Sequence, residues 1–262
     1  MNARRASFRL GRIWLCALLA CACAGAAGLD PAPASYTVGV EQLQYNGAPN
    51  KYDDYGRAVL DAFAQRQGYV FRYVPLPVNR LFAAFARDRT LDFKYPDNPD
   101  WQKALRGSRQ FSYSTPVVSW VAGTMVLPQH KGRPLAQVRT LGAILGFTPL
   151  PYLQMIERKE VNLVTSNGYA SMLNHALAGH LDAVYVNLDL ANDVLRDELK
   201  APGGLLFDPG LPYLRSEVSL STLRHPDIIA RFNLFLQNER PLLARLRAQY
   251  RIDDAGPIPA DQ

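Results

Sequence analysis

LFAAFARDRTLDFKY, residues 81–95, and LNHALAGHLDAVYV, residues 173–186, decide the fold. Each runs from a helical pattern through a short polar turn into Leu-Asp and then a strand-like segment. Leu91-Asp92 leads Phe93-Lys94-Tyr95, and Leu181-Asp182 leads Ala183-Val184-Tyr185-Val186. The two aspartates stand 90 residues apart. One half-unit written twice predicts two similar α/β lobes with a cleft between them, and a cleft is where small molecules bind.

Working outward, the same alternation continues. Tyr36 to Glu41 alternates like a strand and ends in a polar loop, Gln42 to Asp54. Tyr55 to Gln67 has the spacing of an amphipathic helix, with Val59, Leu60 and Phe63 on one side and Gly68 as its stop. Tyr69 to Val74 predicts a second strand, Val78 to Arg87 a helix after Pro75 and Pro77, and Asp92 to Tyr95 a third strand. Val117 to Leu127 is a long β-branched stretch. A second series then predicts strands at Thr140 to Leu145, Val161 to Thr165 and Asp182 to Val186. Helices at Pro151 to Lys159, at Tyr169 to Ala178 and onward to Leu199 alternate with them. A late strand at Val218 to Thr222 precedes a long helical pattern, Pro226 to Gln249, in which Pro241 predicts an interruption.

The chain has 262 residues, 48% of them apolar and 10% aromatic, a composition for packed lobes and not for a disordered chain. The formal charge of +6 misleads, because Arg4, Arg5, Arg9 and Arg12 precede the first acidic residue, Asp30; without them 25 basic side chains face 23 acidic ones. The body is near neutral and gives no electrostatic case for nucleic acid. Residues 1–27 pattern as an export signal, with arginines followed by an apolar run of about a dozen residues, too short for a bilayer core of roughly 30 Å. Two processing schemes fit: removal at a small-x-small site (Ala22-Cys23-Ala24 or Ala24-Gly25-Ala26), or lipidation of Cys21 in Leu18-Leu19-Ala20-Cys21, which is similar to a bacterial lipobox. Cys16, Cys21 and Cys23 are the only cysteines, so the body beyond the signal has no disulfide and no thiolate metal site. No cofactor or metal is expected.

Beyond the carboxyl ends of the doubled strands stand Lys94-Tyr95-Pro96-Asp97-Asn98-Pro99-Asp100-Trp101 and Tyr185-Val186-Asn187. Ligands of open α/β sheets sit at such ends.

At these residues the chain resembles extracytoplasmic solute-binding protein family 3, the polar amino-acid binding type. Tyr36-Thr-Val-Gly-Val resembles the family's opening strand, and Tyr55-Gly-Arg-Ala-Val-Leu-Asp-Ala-Phe its first helix. Leu91-Asp92 resembles its Gly-x-Asp, Ser112-Tyr-Ser-Thr-Pro116 its Phe-Ser-x-Pro, Gly179-His-Leu-Asp-Ala183 its Gly-x-x-Asp-Ala, and Phe232-Asn233 the Phe-Asn of its last long helix. The resemblance implies a type II periplasmic-binding-protein-like fold, two α/β lobes joined by two crossing strands. Lobe 1 would be 36–121 and 214–250, lobe 2 would be 122–213, with 28–35 a linker and 251–262 a flexible tail. It also implies a periplasmic, monomeric protein that closes on a small solute. The protein would pass the solute to an ABC-type permease or report it to a membrane sensor, touching the membrane only through a lipid anchor at Cys21.

Two departures bear on the ligand. The family's arginine after the third strand, which forks onto a carboxylate, is absent from Pro96 to Trp101. The aspartate that accepts a ligand ammonium is replaced by the neutral Asn187. A neutral, aromatic or sugar-like ligand, or an anion held by Arg80 and Lys94, therefore competes with an amino acid. The candidate ligand residues are Glu41, Tyr45, Tyr52, Arg80, Lys94, Asn98, Trp101, Trp120 and Asn187. Each also has a plain structural role open to it: salt bridge, core packing or turn. Asp92 and Asp182 are expected to be structural. A periplasmic enzyme recruited from this fold is the least favoured hypothesis: the four histidines are scattered, and neither a nucleophile elbow nor a phosphate loop is present. The competing binding-module hypothesis is a lipoprotein scaffold whose cleft has degenerated and which holds a protein partner.

Overall fold

The computed structural model describes residues 33–42 and 50–252. The export signal with Cys21, the start of the linker, Tyr45 and the tail from 253 lie outside the described residues.

β1 (Ala34–Glu41), α1 (Lys51–Gln67), β2 (Tyr69–Leu76), α2 (Val78–Phe82, continued by a π turn at Ala83–Arg87) and β3 (Phe93–Asp97) form the first series. α3 (Lys103–Arg106), β4 (Ser112–Tyr113) and the long β5 (Val118–Val126) follow. The second series is β6 (Thr140–Ile144), α4 (Leu153–Glu157), β7 (Asn162–Ser166), α5 (Tyr169–Leu177), β8 (Ala183–Asn187) and α6 (Leu188–Asp193, continued by a π turn at Val194–Glu198). β9 (Leu206–Phe207), β10 (Tyr213–Thr222), α7 (Pro226–Asn238) and α8 (Arg240–Tyr250) complete the order.

The sheet order is β2-β1-β3-β10-β5-β8-β6-β7, with β4 against β10 and β9 against β5. It reads alike from both edges. β1 lies parallel between β2 and β3; β6 lies parallel between β7 and β8. β10 runs antiparallel beside β3, β5 antiparallel beside β8, and β5 and β10 pair with each other from Tyr213↔Gly123 to Val218↔Val118. The fold is the α/β one expected: two like halves of sheet stitched by two long strands. β10 starts five residues before the strand predicted at Val218, because Tyr213 to Glu217 pairs with β5 and needs no buried face to be a strand.

The repeated Leu-Asp is the same joint in both halves. Asp92 accepts from the Thr37 backbone N–H and hydroxyl of β1, both at 2.8 Å. Asp182 accepts from the Thr140 backbone N–H at 2.8 Å and hydroxyl at 2.9 Å of β6, and from the Arg139 N–H at 2.9 Å. Each aspartate in turn donates its own N–H to the threonine hydroxyl, at 3.0 and 2.9 Å. The joint sets the level at which β3 and β8 begin, and so where both end.

Two helix boundaries differ from the periodicity. α1 begins four residues before Tyr55, since Asn50 caps it by accepting from the Tyr52 N–H at 2.9 Å, and Asp53 and Asp54 favour the positive end of the helix dipole. The last helix breaks at Glu239 and not at Pro241; the proline falls in the first turn of α8, where a missing N–H removes no bond. α1 buries Tyr55, Val59, Leu60 and Phe63, and the Phe63 ring sits 5.0 Å from Phe232 and 5.6 Å from Phe235 of α7. Each such aromatic contributes about 1.5–3 kcal/mol by burial, so α7 fixes α1 firmly against the sheet.

Candidate functional site

A cavity opens at the carboxyl ends of β1, β3, β6 and β8, where Glu41, Pro96, Gly146 and Asn187 meet it. It spans about 820 Å³, part of it open to solvent, within the range of small-molecule sites. Tyr52, Phe82 and Trp101 line it from the first half, Phe147, Tyr169, Tyr185 and Leu190 from the second, and Trp120, Ala122, Leu214 and Ser216 from the two long strands. Trp101 and Trp120 stack at 6.3 Å and 28°, and Tyr52 meets Trp120 edge-on at 5.2 Å. Rings set this way present flat, polarisable walls to a guest.

Gly146 follows β6 at φ 90°, and a Cβ there would come 2.9 Å from Val78 of α2. Only glycine lets this loop bring Phe147 and Thr148 so near the first half.

The polar end of the cavity is acidic. Burial pushes the Glu41 carboxyl up to about 7, with Lys94 opposing and Asp97 adding to the rise. Burial pushes Asp53 up to about 8, and the neighbouring Glu41 and Asp54 raise it further against the Asn50 amide and Arg57. Among the described lining residues there is no lysine, arginine or histidine.

Asn187 supplies the opposite character. Its Oδ1 caps α6, accepting from the Asp189 N–H at 3.0 Å and the Leu190 N–H at 3.2 Å. That fixes the amide, because the flipped rotamer would set donors against donors. The Nδ2 donor is buried and without a hydrogen-bond partner, in a residue only 6% exposed. Tyr185, which also lines the cavity, has a buried hydroxyl in the same condition.

Of the residues expected from sequence, Glu41, Tyr52, Trp101, Trp120 and Asn187 come together around this cavity. Tyr45 lies outside the described residues. Arg80 does not join them: it is exposed on α2, two positions from Val78 and from Phe82, which both line the cavity, and two residues on turn a helix to its other side. Lys94 is fully buried within the first half, paired with Asp97 at 3.2 Å, bonded to the Pro96 carbonyl and 4.1 Å from the Phe82 ring. Asn98 is consumed by a turn, its amide donating to the Glu217 carbonyl at 2.7 Å while its oxygen accepts from the Asp100 N–H at 2.8 Å. The anion site imagined between Arg80 and Lys94 is therefore not formed.

Asp97 explains the burial of Lys94. It also receives Arg106 and the Ser221 hydroxyl, and Arg106 lies 4.9 Å from the Phe111 ring. A buried charge persists when it is paired and bonded, and here two cations share one carboxylate.

Both edges of the cavity are tied. On one edge Tyr52 donates to Asp189 of α6, and Lys51 pairs with Asp193 at 3.2 Å. On the other, the Gln102 amide donates to the Gly146 carbonyl at 2.6 Å and its N–H reaches the Thr148 hydroxyl at 3.3 Å.

Asp53, Phe147, Tyr169 and Tyr185 were not singled out from sequence. Phe147 and Thr148 could have been, since they follow a strand that ends beside β8. Asp53 was hidden by counting Asn50 to Asp54 as loop. Among the described residues no cluster could hold a metal ion, and no helix is long and apolar enough to cross a membrane.

The sequence matches no protein-family model and no curated protein. The fold does match solved structures. It is similar to an ancestral arginine-binding protein bound to arginine, with 14% identity over 84% of this chain and 99% of the other and a TM-score of 0.64. It is similar to the GluR0 ligand-binding core of Nostoc punctiforme in complex with L-glutamate, with 13% identity over 83% and 100% and a TM-score of 0.64. It is also similar to a double mutant of the Bordetella pertussis BvgS VFT2 domain, with 20% identity over 83% and 93% and a TM-score of 0.57. The architecture is thus the type II periplasmic-binding fold that the sequence motifs implied.

Proposed function

We propose that this chain is a solute-binding protein of the periplasmic type, which captures one small molecule between its two halves by bending about β5 and β10. The observation that carries this is the aromatic cavity at the strand ends, where the buried Asn187 Nδ2 and Tyr185 hydroxyl await a partner. A buried donor with no acceptor costs about 1–3 kcal/mol, which a bound solute would recover. The solved structures of like fold are described as holding arginine and glutamate, which supports a small polar solute here and favours binding over catalysis. In this reading the protein is exported, works as a monomer, and serves uptake through an ABC-type permease or a membrane sensor.

The test is mass spectrometry of what co-purifies with natively extracted protein, followed by melting and small-angle scattering with that compound. A stoichiometric compound that raises the Tm and lowers the radius of gyration supports the proposal. A protein that retains nothing, and whose Tm no member of a broad metabolite panel moves, overturns it.

A further inference from the structure

We infer that the solute is an organic cation, an ammonium or guanidinium on a flat or slender apolar body with a neutral oxygen acceptor, and not a free amino acid. The inference rests on the solute-binding reading and narrows it to a chemical class.

Three independent features converge. The charged groups on the cavity wall are of one sign: Glu41 and Asp53 line it, and no basic side chain does so among the described residues. The nearby cations are already engaged, since Lys94 and Arg106 are buried and bonded to Asp97, behind the Phe82 ring. A ligand carboxylate would therefore enter the aromatic cavity against Glu41 and Asp53 with no basic side chain among the described lining residues to receive it, whereas a cation meets both carboxyls directly. Finally, the Asn187 amide is locked by its cap with its donor free, so it repels an ammonium and takes a carbonyl, ether or hydroxyl oxygen. Trp101, Trp120 and Tyr52 also line the cavity, and aromatic rings attract cations and flat groups alike.

The acidic pole should also respond to pH. The groups facing Glu41 are Asp53, Lys94 and Asp97; those facing Asp53 are Glu41, Asp54, Asn50, Arg57 and Tyr95. Near neutral pH the pair is held partly protonated by burial and mutual repulsion. A cation settling there favours the ionised form, so binding releases protons and tightens as pH rises from 6 to 8.

Calorimetry at pH 7.5 with matched probes decides the matter. Tyramine, L-tyrosine and tyrosol share one ring and differ as cation, zwitterion and neutral molecule; agmatine and L-arginine form a second pair differing in the carboxylate. The expected result is that tyramine or agmatine binds about tenfold or more tightly than its amino-acid parent. Glu41→Gln or Asp53→Asn should weaken that cation by about tenfold, while the affinity of wild type rises with pH. Two carboxylate variants are used so that one that fails to fold leaves the other to answer. If L-tyrosine, L-arginine or tyrosol binds as tightly as the cations, or if neither variant changes cation affinity, the cation assignment is overturned while solute binding stands. If none of the five compounds binds, the assignment is overturned too, and solute binding is then judged separately by the co-purification experiment.

Discussion

β3 and β8 hold the same place in the two halves and begin from the same Thr–Asp joint, yet they end differently. β3 ends in a buried cluster: Asp97 receives Lys94, Arg106 and Ser221, all within the first half or on β10 beside it. β8 ends with a donor left over, because Asn187 spends its oxygen on α6 and leaves Nδ2 free. The repeated unit thus fixes where a strand delivers its last residue, while the residue types there decide whether the delivery stiffens a wall or serves a guest.

Breaking the β3 end should have the largest effect. Asp97→Ala strands two buried cations and is expected to cost about 3–5 kcal/mol in urea unfolding. Lys94→Met keeps the apolar stem over Phe82 and the Arg106–Asp97 pair; it should cost less than half as much and leave solute binding intact, with affinity moved only through the Lys94 charge that acts on Glu41. A Lys94→Met protein that folds but no longer binds would make Lys94 part of the site and remove the contrast.

The paired joints come next. Asp92 also carries Arg224 and His225, at 3.0 Å for the latter, whereas the Asp182 carboxylate is held chiefly by N–H and hydroxyl donors of β6 and Arg139. Asp92→Ala should cost about 2–3 kcal/mol and Asp182→Ala about 1–2 kcal/mol by the same measurement. Burial works to raise both carboxyls, but the Thr37 bonds with His225 and Arg224, and the Thr140 and Arg139 bonds with His130, outweigh it and hold both below the usual range. Their stabilisation is complete above the unfolded value of about 3.9 and lost as pH falls through the folded values. Either variant should therefore flatten the acid limb of a stability–pH curve, Asp92→Ala more than Asp182→Ala.

Glu41 and Asp53 carry the opposite sign. Their folded values, about 7 and about 8, lie above the unfolded ones, so the stability they contribute is full below about pH 4 and lost as pH rises through 7 and 8. Melting of the unliganded protein should show a decline from pH 5 to 8 that Glu41→Gln reduces. The smallest effect is reserved for Lys51→Ala. Its ion pair with Asp193 is partly exposed, 25% and 34%, and should be worth under about 1 kcal/mol to global stability.

Most of the fold was legible because its signals are local and repeated. The Leu-Asp phrase, the strand alternation and the α1 stripe each occupy a dozen residues or fewer, and Gly68 stops α1 in the left-handed conformation its position predicts. The cavity lining was legible where a strand end pointed to it, as at Glu41 and Asn187, and where an aromatic residue stood near such an end or on a crossing strand, as at Tyr52, Trp101 and Trp120. Lys94 pairs locally, with Asp97 and the Pro96 carbonyl, but what makes that pair a buried cluster comes from elsewhere: Arg106 lies on α3 and Ser221 on β10, and no spacing near Lys94 announces that they fold back upon Asp97. Arg80 was misplaced by counting it at a helix start without asking which side of α2 faces the cavity. Asp53 was lost with the Asn50 cap, a signal present in the sequence but buried in a polar run.

The ties across both rims have a kinetic consequence. Gln102 bonded to Gly146 on one side and Lys51 paired with Asp193 on the other hold the two rims together. A newcomer must wait for these ties to part, so its observed uptake rate should level off at high concentration instead of climbing without limit. The plateau in a stopped-flow trace would then clock the parting of these ties, and cutting the Gln102 tie with Gln102→Ala should lift it.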